Sequence, residues 1–274
     1  MKTVPDPELA DRTRQYWNER AHGTERVSLQ ATTYDVFLRE LEIAKLKERI
    51  SAASFPPGST IVDCGCGDGY ATVSLATAFP TLRFIGVDYS EEMLAIAETR
   101  LLSQPGLPDR VSFRLGDMRR LSTSLGDEKF EAFTSMRSLI NLTSSIEQYD
   151  TIAQIAQHLK PGGYYFCIEN FTKGQENFNG ARRAMGLPDV PVRWHNHFFD
   201  DDVFMVETAK NFDALHMDSF LSSYYLATRV IYSAGCQLAG EEPDYFHPIH
   251  RTAGRLPPIG DFCPIRLASM RRKF

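Results

Sequence analysis

Three glycines behind a short apolar run are the residues of this sequence whose chemistry is easiest to infer. Residues 60–69 read Thr-Ile-Val-Asp-Cys-Gly-Cys-Gly-Asp-Gly, so Asp63 follows the apolar run and precedes Gly65, Gly67 and Gly69. The apolar, β-branched run is typical of a buried strand, and the glycines predict a tight loop that enters a helix. Glycine is needed where the backbone takes a positive φ or where a ligand approaches more closely than a Cβ allows. The stretch therefore predicts a ligand site at the end of a strand.

The spacing of the glycines narrows the class of ligand. Gly-x-Gly-x-Gly differs from the dinucleotide fingerprint Gly-x-Gly-x-x-Gly, and the stretch lacks the Lys and Ser/Thr of a phosphate-cradling loop. An acid before the glycines repels a pyrophosphate but suits a cationic ligand. S-adenosylmethionine carries an ammonium and a sulfonium, so we expect it as the ligand. A nicotinamide oxidoreductase is a distant alternative that the glycine spacing disfavours.

Further strand-like segments follow, and each is marked by polar or glycine signals. Residues 83–90 contain Asp88 at the predicted strand end, where an acid in a doubly wound sheet can accept hydrogen bonds from both ribose hydroxyls. The other segments are residues 111–118 with Gly-Asp near their end, residues 130–136 followed by Arg137, and residues 164–169 preceded by Leu-Lys-Pro-Gly-Gly.

This order of motifs, over residues 58–170, resembles the class I S-adenosylmethionine-dependent methyltransferases. The resemblance implies an α/β fold with a Rossmann-like, seven-stranded, mostly parallel sheet. It also implies an antiparallel C-terminal hairpin, an N-terminal helical lid and a cap insertion after the fifth strand. We predict a single domain over residues 1–274, divided into a lid (1–55), a cofactor-binding core (56–170), a substrate cap (170–212) and C-terminal strands (213–274).

The segments outside the core motifs have weaker periodicity. Helices are predicted at residues 7–53 with a break at 21–24, and then at 70–79, 145–159, 175–185 and 200–211. Strands are predicted at residues 214–222, 224–232 and 264–272, with a loop rich in Pro and Gly at 235–262. The last strand is expected to pair with one of the other two.

The resemblance implies a set of cofactor-binding residues. Asp63 would approach the methionine ammonium, Asp88 would hold the ribose, and Tyr89 would cover the adenine. A turn role for Asp117, ordinary packing for Tyr89 and plain helix packing for Tyr16 are the alternatives. The complete set is Tyr16, Asp63, Gly65, Gly67, Asp88, Tyr89, Asp117 and Met118.

Residues 194–199, Trp-His-Asn-His-Phe-Phe, form the densest polar and aromatic cluster of the chain. Methyl transfer to a hydroxyl needs a base, and histidine, with an unperturbed pKa of about 6.5, is the default candidate. We predict His195 or His197 as the base, with Arg137 facing donor and acceptor. Structural hydrogen bonding by the histidines and an ion pair of Arg137 are the alternatives. The predicted substrate contacts are Glu169, Asn170, Trp194, Asn196 and Arg229.

The acceptor is less determined than the donor. The segment after residue 136 lacks the Asn/Asp-Pro-Pro-Tyr/Phe of methyltransferases that act on nucleic-acid amines. Residues 130–232 resemble bacterial small-molecule and sugar methyltransferases, which implies O-methylation of a small hydroxylated molecule, such as a sugar or a sugar-linked intermediate. N-methylation of a small amine and a non-catalytic S-adenosylmethionine-binding partner protein are the alternatives. A metal held by the histidine pair and Glu169 lacks supporting carboxylates, so we predict no metal.

Composition bounds the remaining classes. The 274 residues are 43% apolar and 24% charged with a net charge of −5, which argues against a nucleic-acid substrate. No apolar run is long enough to span a membrane, and residues 1–6 lack a signal-peptide core, so we expect a cytoplasmic protein. The five cysteines are predicted to be small core residues. The oligomeric state is left open, with a homodimer as one alternative.

Overall fold

A computed structural model describes residues 4–22 and 33–274 of the chain. Its core is a seven-stranded sheet with the strand order β3-β2-β1-β4-β5-β7-β6. The strands are β1 (Thr60–Cys64), β2 (Arg83–Asp88), β3 (Val111–Leu115), β4 (Phe130–Met136), β5 (Leu159–Asn170), β6 (Phe212–Asp218) and β7 (Ile265–Arg272).

Strands β1 to β5 are parallel, and β7 lies antiparallel between β5 and β6. Parallel strands are covered on both faces, which is why the middle strands read as continuous apolar runs. The sequence predicted this mostly parallel sheet with antiparallel C-terminal strands, and the prediction is confirmed. The strand predicted at residues 264–272 is β7, which begins at Ile265 and pairs with β6, the strand predicted near residues 214–222.

Helices pack on both faces of the sheet. On one face, Ile152 and Ile155 of α6 pack against the core residues of β4 and β5. On the other face, Leu46 of α2 and Leu75 of α3 are fully buried. The helices are α1 (Pro7–His22), α2 (Val36–Ala53), α3 (Tyr70–Ala78), α4 (Glu91–Leu102), α5 (Leu121–Leu125), α6 (Ser145–His158), α7 (Thr172–Ala184), α8 (Asp201–Thr208), α9 (Ser222–Tyr225), α10 (Tyr232–Ala239) and α11 (Ile249–Ala253).

The strand predicted at residues 224–232 is wrong, because this segment is helical. A π-helical segment, Leu226–Ile231, joins α9 to α10 without a break. Tyr224, Tyr225 and Val230 are buried in the core, so tertiary packing overrides the strand preference of their aromatic and β-branched side chains. The loop predicted at 235–262 also begins later, after α10, and contains α11.

The predicted break at residues 21–24 falls partly outside the described residues, since α1 includes positions 21 and 22 and the next described residue is Thr33. Within the described ranges, no helix is both long and apolar enough to cross a membrane.

The carboxyl ends of the parallel strands meet at one edge of the sheet. The chain turns away from β1 into the glycine loop, and β4 lies on the other side of β1 from β2. Strand order therefore reverses at β1, which is where an open α/β sheet forms a ligand crevice.

Candidate active site

A cavity of about 600 Å³ lies at this reversal point. Residues at the ends of β1, β2 and β4 line one part of it, and the segments after β5 and after β6 line the other. We call the first part the donor side, defined by Asp63, Gly65, Gly67, Asp88 and Tyr89. We call the second part the acceptor side, defined by Asn170, Arg182, Arg193, His195, Asn196 and Arg229.

Backbone conformation shapes the donor side at Gly65. This residue has a φ of 75°, a left-handed conformation that disfavours side chains. A Cβ built on it would clash with the Cβ of Ser138 and lie 2.9 Å from Cε of Met118. The absence of a side chain therefore lets the loop pack against the turn after β4 and leaves the cavity open.

Asp88 fixes the glycine loop from the end of β2. One carboxylate oxygen accepts the Gly67 N–H at 2.8 Å, and the other accepts the Ser90 N–H at 3.0 Å. The side chain is 7% exposed, and burial raises the pKa of its carboxyl to about 6. Asp88 is therefore ionised at neutral pH and becomes protonated in mild acid.

Asp63 lies at the end of β1 and also lines the cavity. Its two oxygens accept hydroxyl hydrogen bonds from Thr72 at 2.6 Å and from Thr134 at 3.0 Å. Burial raises the pKa of this carboxyl as well. The hydrogen bonds from the two threonines favour the charged form of the Asp63 carboxyl, which would pair with a ligand ammonium.

Tyr89 separates the main cavity from a smaller one of about 370 Å³. Met118 lines the main cavity, whereas Asp117 lines only the smaller one. The Asp117 carboxylate accepts hydrogen bonds from the Arg119 guanidinium at 2.9 and 2.6 Å, and these bonds lower its pKa. The carboxylate of Asp117 is therefore occupied by Arg119, whereas the backbone of Asp117 adjoins Met118 at the main cavity.

His195 is the histidine of the 194–199 cluster that lines the cavity. Its ring stacks on Tyr16 with a centroid distance of 4.6 Å, and its Nδ1 has no hydrogen-bond partner among the described residues. Burial, together with the charges of Arg193 and Arg20, lowers its pKa to about 4. His195 is therefore neutral at physiological pH.

Five of the predicted residues do not line the main cavity: Tyr16, Asp117, His197, Glu169 and Trp194. The His197 backbone N–H donates to the Ile140 carbonyl at 2.6 Å, and the His197 carbonyl accepts from Gln148. Trp194 is 44% exposed and lies under the Arg12 guanidinium.

Glu169 stabilises the turn after β4 and does not line the cavity. Its carboxylate accepts backbone N–H groups from Ser138, Leu139 and Ile140 at 3.1 to 3.3 Å, so it holds the turn after β4. Burial raises the pKa of this carboxyl to about 7. Glu169 and the hydrogen bond from the Ser138 hydroxyl to the Cys64 carbonyl together hold Ser138 against Gly65.

Arg137 lines the cavity and forms the ion pair that the sequence left as an alternative. Its Nε lies 2.9 Å from Oε1 of Glu42, which is fully buried in α2. Its backbone φ of 52° turns the chain at the end of β4. Asn170 and Asn196 also line the cavity, and the buried Oδ1 of Asn170 accepts no hydrogen bond from any described residue.

Sequence reasoning missed the polar cluster around Asp35. The Asp35 carboxylate accepts the Tyr224 hydroxyl at 2.9 Å and pairs with the Arg229 guanidinium, which lies 4.8 Å from the Tyr225 ring centroid. Asp35 and Arg229 are 194 residues apart, so no spacing rule joins them. Residues 224–232 were predicted as a strand, so the placement of Tyr225 and Arg229 on one helical face was not recognised.

Comparisons with known proteins identify the segment that contains the donor-side residues. Residues 61–163 match the model of a methyltransferase domain family. Residues 61–163 are a class I methyltransferase domain. The cofactor of such domains is S-adenosylmethionine, so the sequence-based predictions of family and cofactor are confirmed.

Relatives of this methyltransferase domain differ in what they methylate. The chain is 32% identical over 124 residues to the demethylmenaquinone methyltransferase of Symbiobacterium thermophilum, which covers 45% of this chain and 47% of that protein. It is 27% identical over 174 residues to the malonyl-[acyl-carrier protein] O-methyltransferase of Priestia megaterium, covering 59% and 57%. The chain therefore spans about half the length of these curated relatives.

A solved structure shares the fold over nearly the whole chain. The magnesium protoporphyrin IX methyltransferase of Synechocystis PCC 6803 with bound S-adenosylhomocysteine has a TM-score of 0.60 and 16% identity, and covers 96% of this chain and 99% of that one. At this identity the likeness supports the fold.

The donor-side residues of the methyltransferase domain fit S-adenosylmethionine. Buried Asp63 suits an ammonium, Asp88 suits ribose hydroxyls, and the wall at Gly65 carries no Cβ. These groups would hold the cofactor with its reactive end toward the acceptor side.

Proposed function

We propose that this protein transfers the methyl group of S-adenosylmethionine to a small hydroxylated molecule, such as a sugar or a sugar-linked intermediate. The observation that carries the proposal is that one cavity joins the donor side to the acceptor side. Two buried polar atoms on the acceptor side, Nδ1 of His195 and Oδ1 of Asn170, have no partner among the described residues. Unpaired buried polar atoms are rare in folded proteins, and a ligand hydroxyl is a donor that would satisfy either one.

The residues of the chain would act mainly by positioning. S-adenosylmethionine supplies an electrophilic methyl group on its sulfonium. The glycine loop and Asp88 fix the position of the donor, and Asn170 fixes the acceptor oxygen. Holding reacting atoms about 3 to 3.5 Å apart and in line can supply much of a rate enhancement.

His195 would accept the proton that the hydroxyl loses. Its Nδ1 is free to accept a proton, because the ring is neutral above a pKa of about 4. A base with so low a pKa is weak, so its contribution lies at the low end of the range of about 100- to 10,000-fold for general bases.

The same low pKa favours a second candidate, N-methylation of a small amine. A neutral amine attacks with its lone pair and needs no strong base in the transition state. Asn170 Oδ1 would then accept an amine N–H instead of a hydroxyl. The position of Asn170 is the same in both reactions, whereas the requirement for His195 differs.

Turnover with defined acceptor pools separates these candidates. Methyl transfer from labelled S-adenosylmethionine is measured with a set of monosaccharides and phenols and with a set of small amines. The variant His195→Ala is compared with His216→Ala, which removes an exposed histidine on β6. We expect hydroxyl acceptors to be methylated and His195→Ala to lower their rate about 100-fold, with His216→Ala unchanged.

Methylation of amines alone, with His195→Ala near the wild-type rate, would reject the hydroxyl acceptor in favour of the amine. Tight binding of S-adenosylmethionine without turnover of any acceptor would favour a non-catalytic partner protein instead.

A further inference from the structure

The arginines that line the cavity differ in how their charge is compensated. Arg39, Arg137 and Arg229 each pair with a buried carboxylate, provided by Asp68, Glu42 and Asp35 respectively. Such pairing is the usual condition for burying a guanidinium, because an unpaired buried charge is strongly unfavourable.

Arg182 lines the same cavity without such a partner. Its side chain is 9% exposed, and no described carboxylate lies within ion-pair distance of it. Its Nε donates to the Pro188 carbonyl at 2.8 Å, and one terminal nitrogen donates to the Arg229 carbonyl. These bonds orient the guanidinium but are not ion pairs. Burial lowers the pKa of Arg182, and the charge of Asp189 acts in the opposite direction.

A second cation on the acceptor side is also without a carboxylate. Arg193 lines the cavity, and no ion pair joins it to any described residue. Its charge reaches the site, since it contributes to the lowered pKa of His195. Arg182 and Arg193 are thus two acceptor-side guanidinium groups without an ion pair to a described carboxylate, in a cavity that Glu242 and Asp244 also line.

We infer that the methyl acceptor carries an anionic group, a carboxylate or a phosphate, that binds Arg182 and Arg193. This inference rests on the proposed function, because it assigns a property to the acceptor of that reaction. An anion bound on the acceptor side would supply a counter-charge to these guanidinium groups, and a forked guanidinium suits both carboxylate and phosphate. The neighbouring Asn170 and His195 would then face the group that is methylated.

The experiment titrates inorganic phosphate and malonate into the full chain by calorimetry, with and without S-adenosylhomocysteine, at constant ionic strength. Chloride at matched ionic strength is the control for general screening. The variants are Arg182→Gln and Arg193→Gln. Arg183→Gln is the matched control, because it removes the adjacent arginine, which is exposed and paired with Asp189.

We expect saturable binding of at least one anion by the wild type and by Arg183→Gln. Arg182→Gln and Arg193→Gln should each weaken it by about tenfold or more, the scale of a hydrogen bond to a charged group. The anion that binds more tightly identifies the group. Arg193→Gln replaces an exposed side chain, so it still decides the question if Arg182→Gln fails to fold.

No saturable binding by the wild type, or equal binding by wild type and both variants, would overturn the inference. Failure of the wild type to bind S-adenosylhomocysteine would instead contradict the proposed function, since the anion is also titrated without it.

Discussion

The donor side and the acceptor side of the cavity are built by different means. The donor side comes from residues close in sequence, at the ends of β1 and β2, and its shape depends on backbone conformation at Gly65 and on one carboxylate, Asp88. The acceptor side depends on side-chain charges joined across the chain, as in the pair of Asp35 with Arg229, which are 194 residues apart. The donor side thus depends mainly on local backbone, whereas the acceptor side depends on a pair that is distant in sequence.

We expect the largest effect from removing the ion pair between Asp35 and Arg229, which are distant in sequence. Arg229→Ala leaves the Asp35 carboxylate buried without its cation, so we expect the free energy of unfolding to fall by about 3 to 5 kcal/mol. Affinity for S-adenosylhomocysteine should stay within about threefold, because the donor side is untouched. Urea denaturation and calorimetry measure the two quantities.

Arg183→Ala is the control for that variant, since it removes an exposed ion pair and should change stability by less than about 1 kcal/mol. If Arg229→Ala were as stable as this control, the Asp35 pair would not hold the acceptor side together.

We expect the next largest effect from a substitution at Gly65, where the backbone shapes the donor side. Gly65→Ala combines a left-handed φ of 75° with a clash against Ser138, so we expect affinity for S-adenosylhomocysteine to fall by at least about 100-fold, or ~2.7 kcal/mol. Gly106→Ala is matched in backbone strain, with a φ of 78°, but its Cβ meets no atom within 4 Å. That variant should bind normally, and equal losses in both would show that strain rather than close approach decides the effect.

The same difference explains what could be predicted from sequence. The glycine loop, Asp88 and the parallel strands give local signals, because each depends on neighbours in the chain. The pairing of Asp35 with Arg229 has no local signal, because Asp35 precedes α2 and Arg229 lies between β6 and β7, in a segment whose helices were predicted as strand and loop. Glu169 was assigned to the substrate because it ends β5, but only the fold shows its carboxylate accepting the N–H groups of the turn after β4.

The pH dependence of cofactor affinity tests the role of Asp88 on the donor side. The pKa of Asp88 is raised to about 6, so the free protein holds a proton there at pH 5, while ribose hydroxyls donate best to the ionised form. Affinity for S-adenosylhomocysteine should therefore increase as pH rises through 6 and level off above it, by at most about tenfold per pH unit.

Two Asp88 variants and a control complete that titration. Asp88→Ala should weaken binding by about 1.5 to 3 kcal/mol at pH 8, and Asp88→Asn should remove the pH dependence. Asp109→Asn, at an exposed turn, should keep the wild-type profile. A wild-type profile that is flat from pH 5 to 8 would remove Asp88 from ribose binding.

The smallest effect tests where the donor side ends. The Asp117 carboxylate accepts hydrogen bonds from Arg119 and lines the smaller cavity. Asp117→Asn should therefore lower the affinity for S-adenosylhomocysteine by less than about threefold. Met118 and its backbone remain in place in this variant. A tenfold loss measured by calorimetry would place the carboxylate itself at the adenine.

The central claim is that donor and acceptor meet in one cavity, and a crystal structure with S-adenosylhomocysteine tests it most directly. We expect the amino group near Asp63, the ribose hydroxyls on Asp88, and the sulfur facing the part of the cavity lined by Asn170 and His195. An open space beside the sulfur should reach Arg182. A ligand bound with its sulfur turned away from these residues, or with no space between them, would contradict the claim.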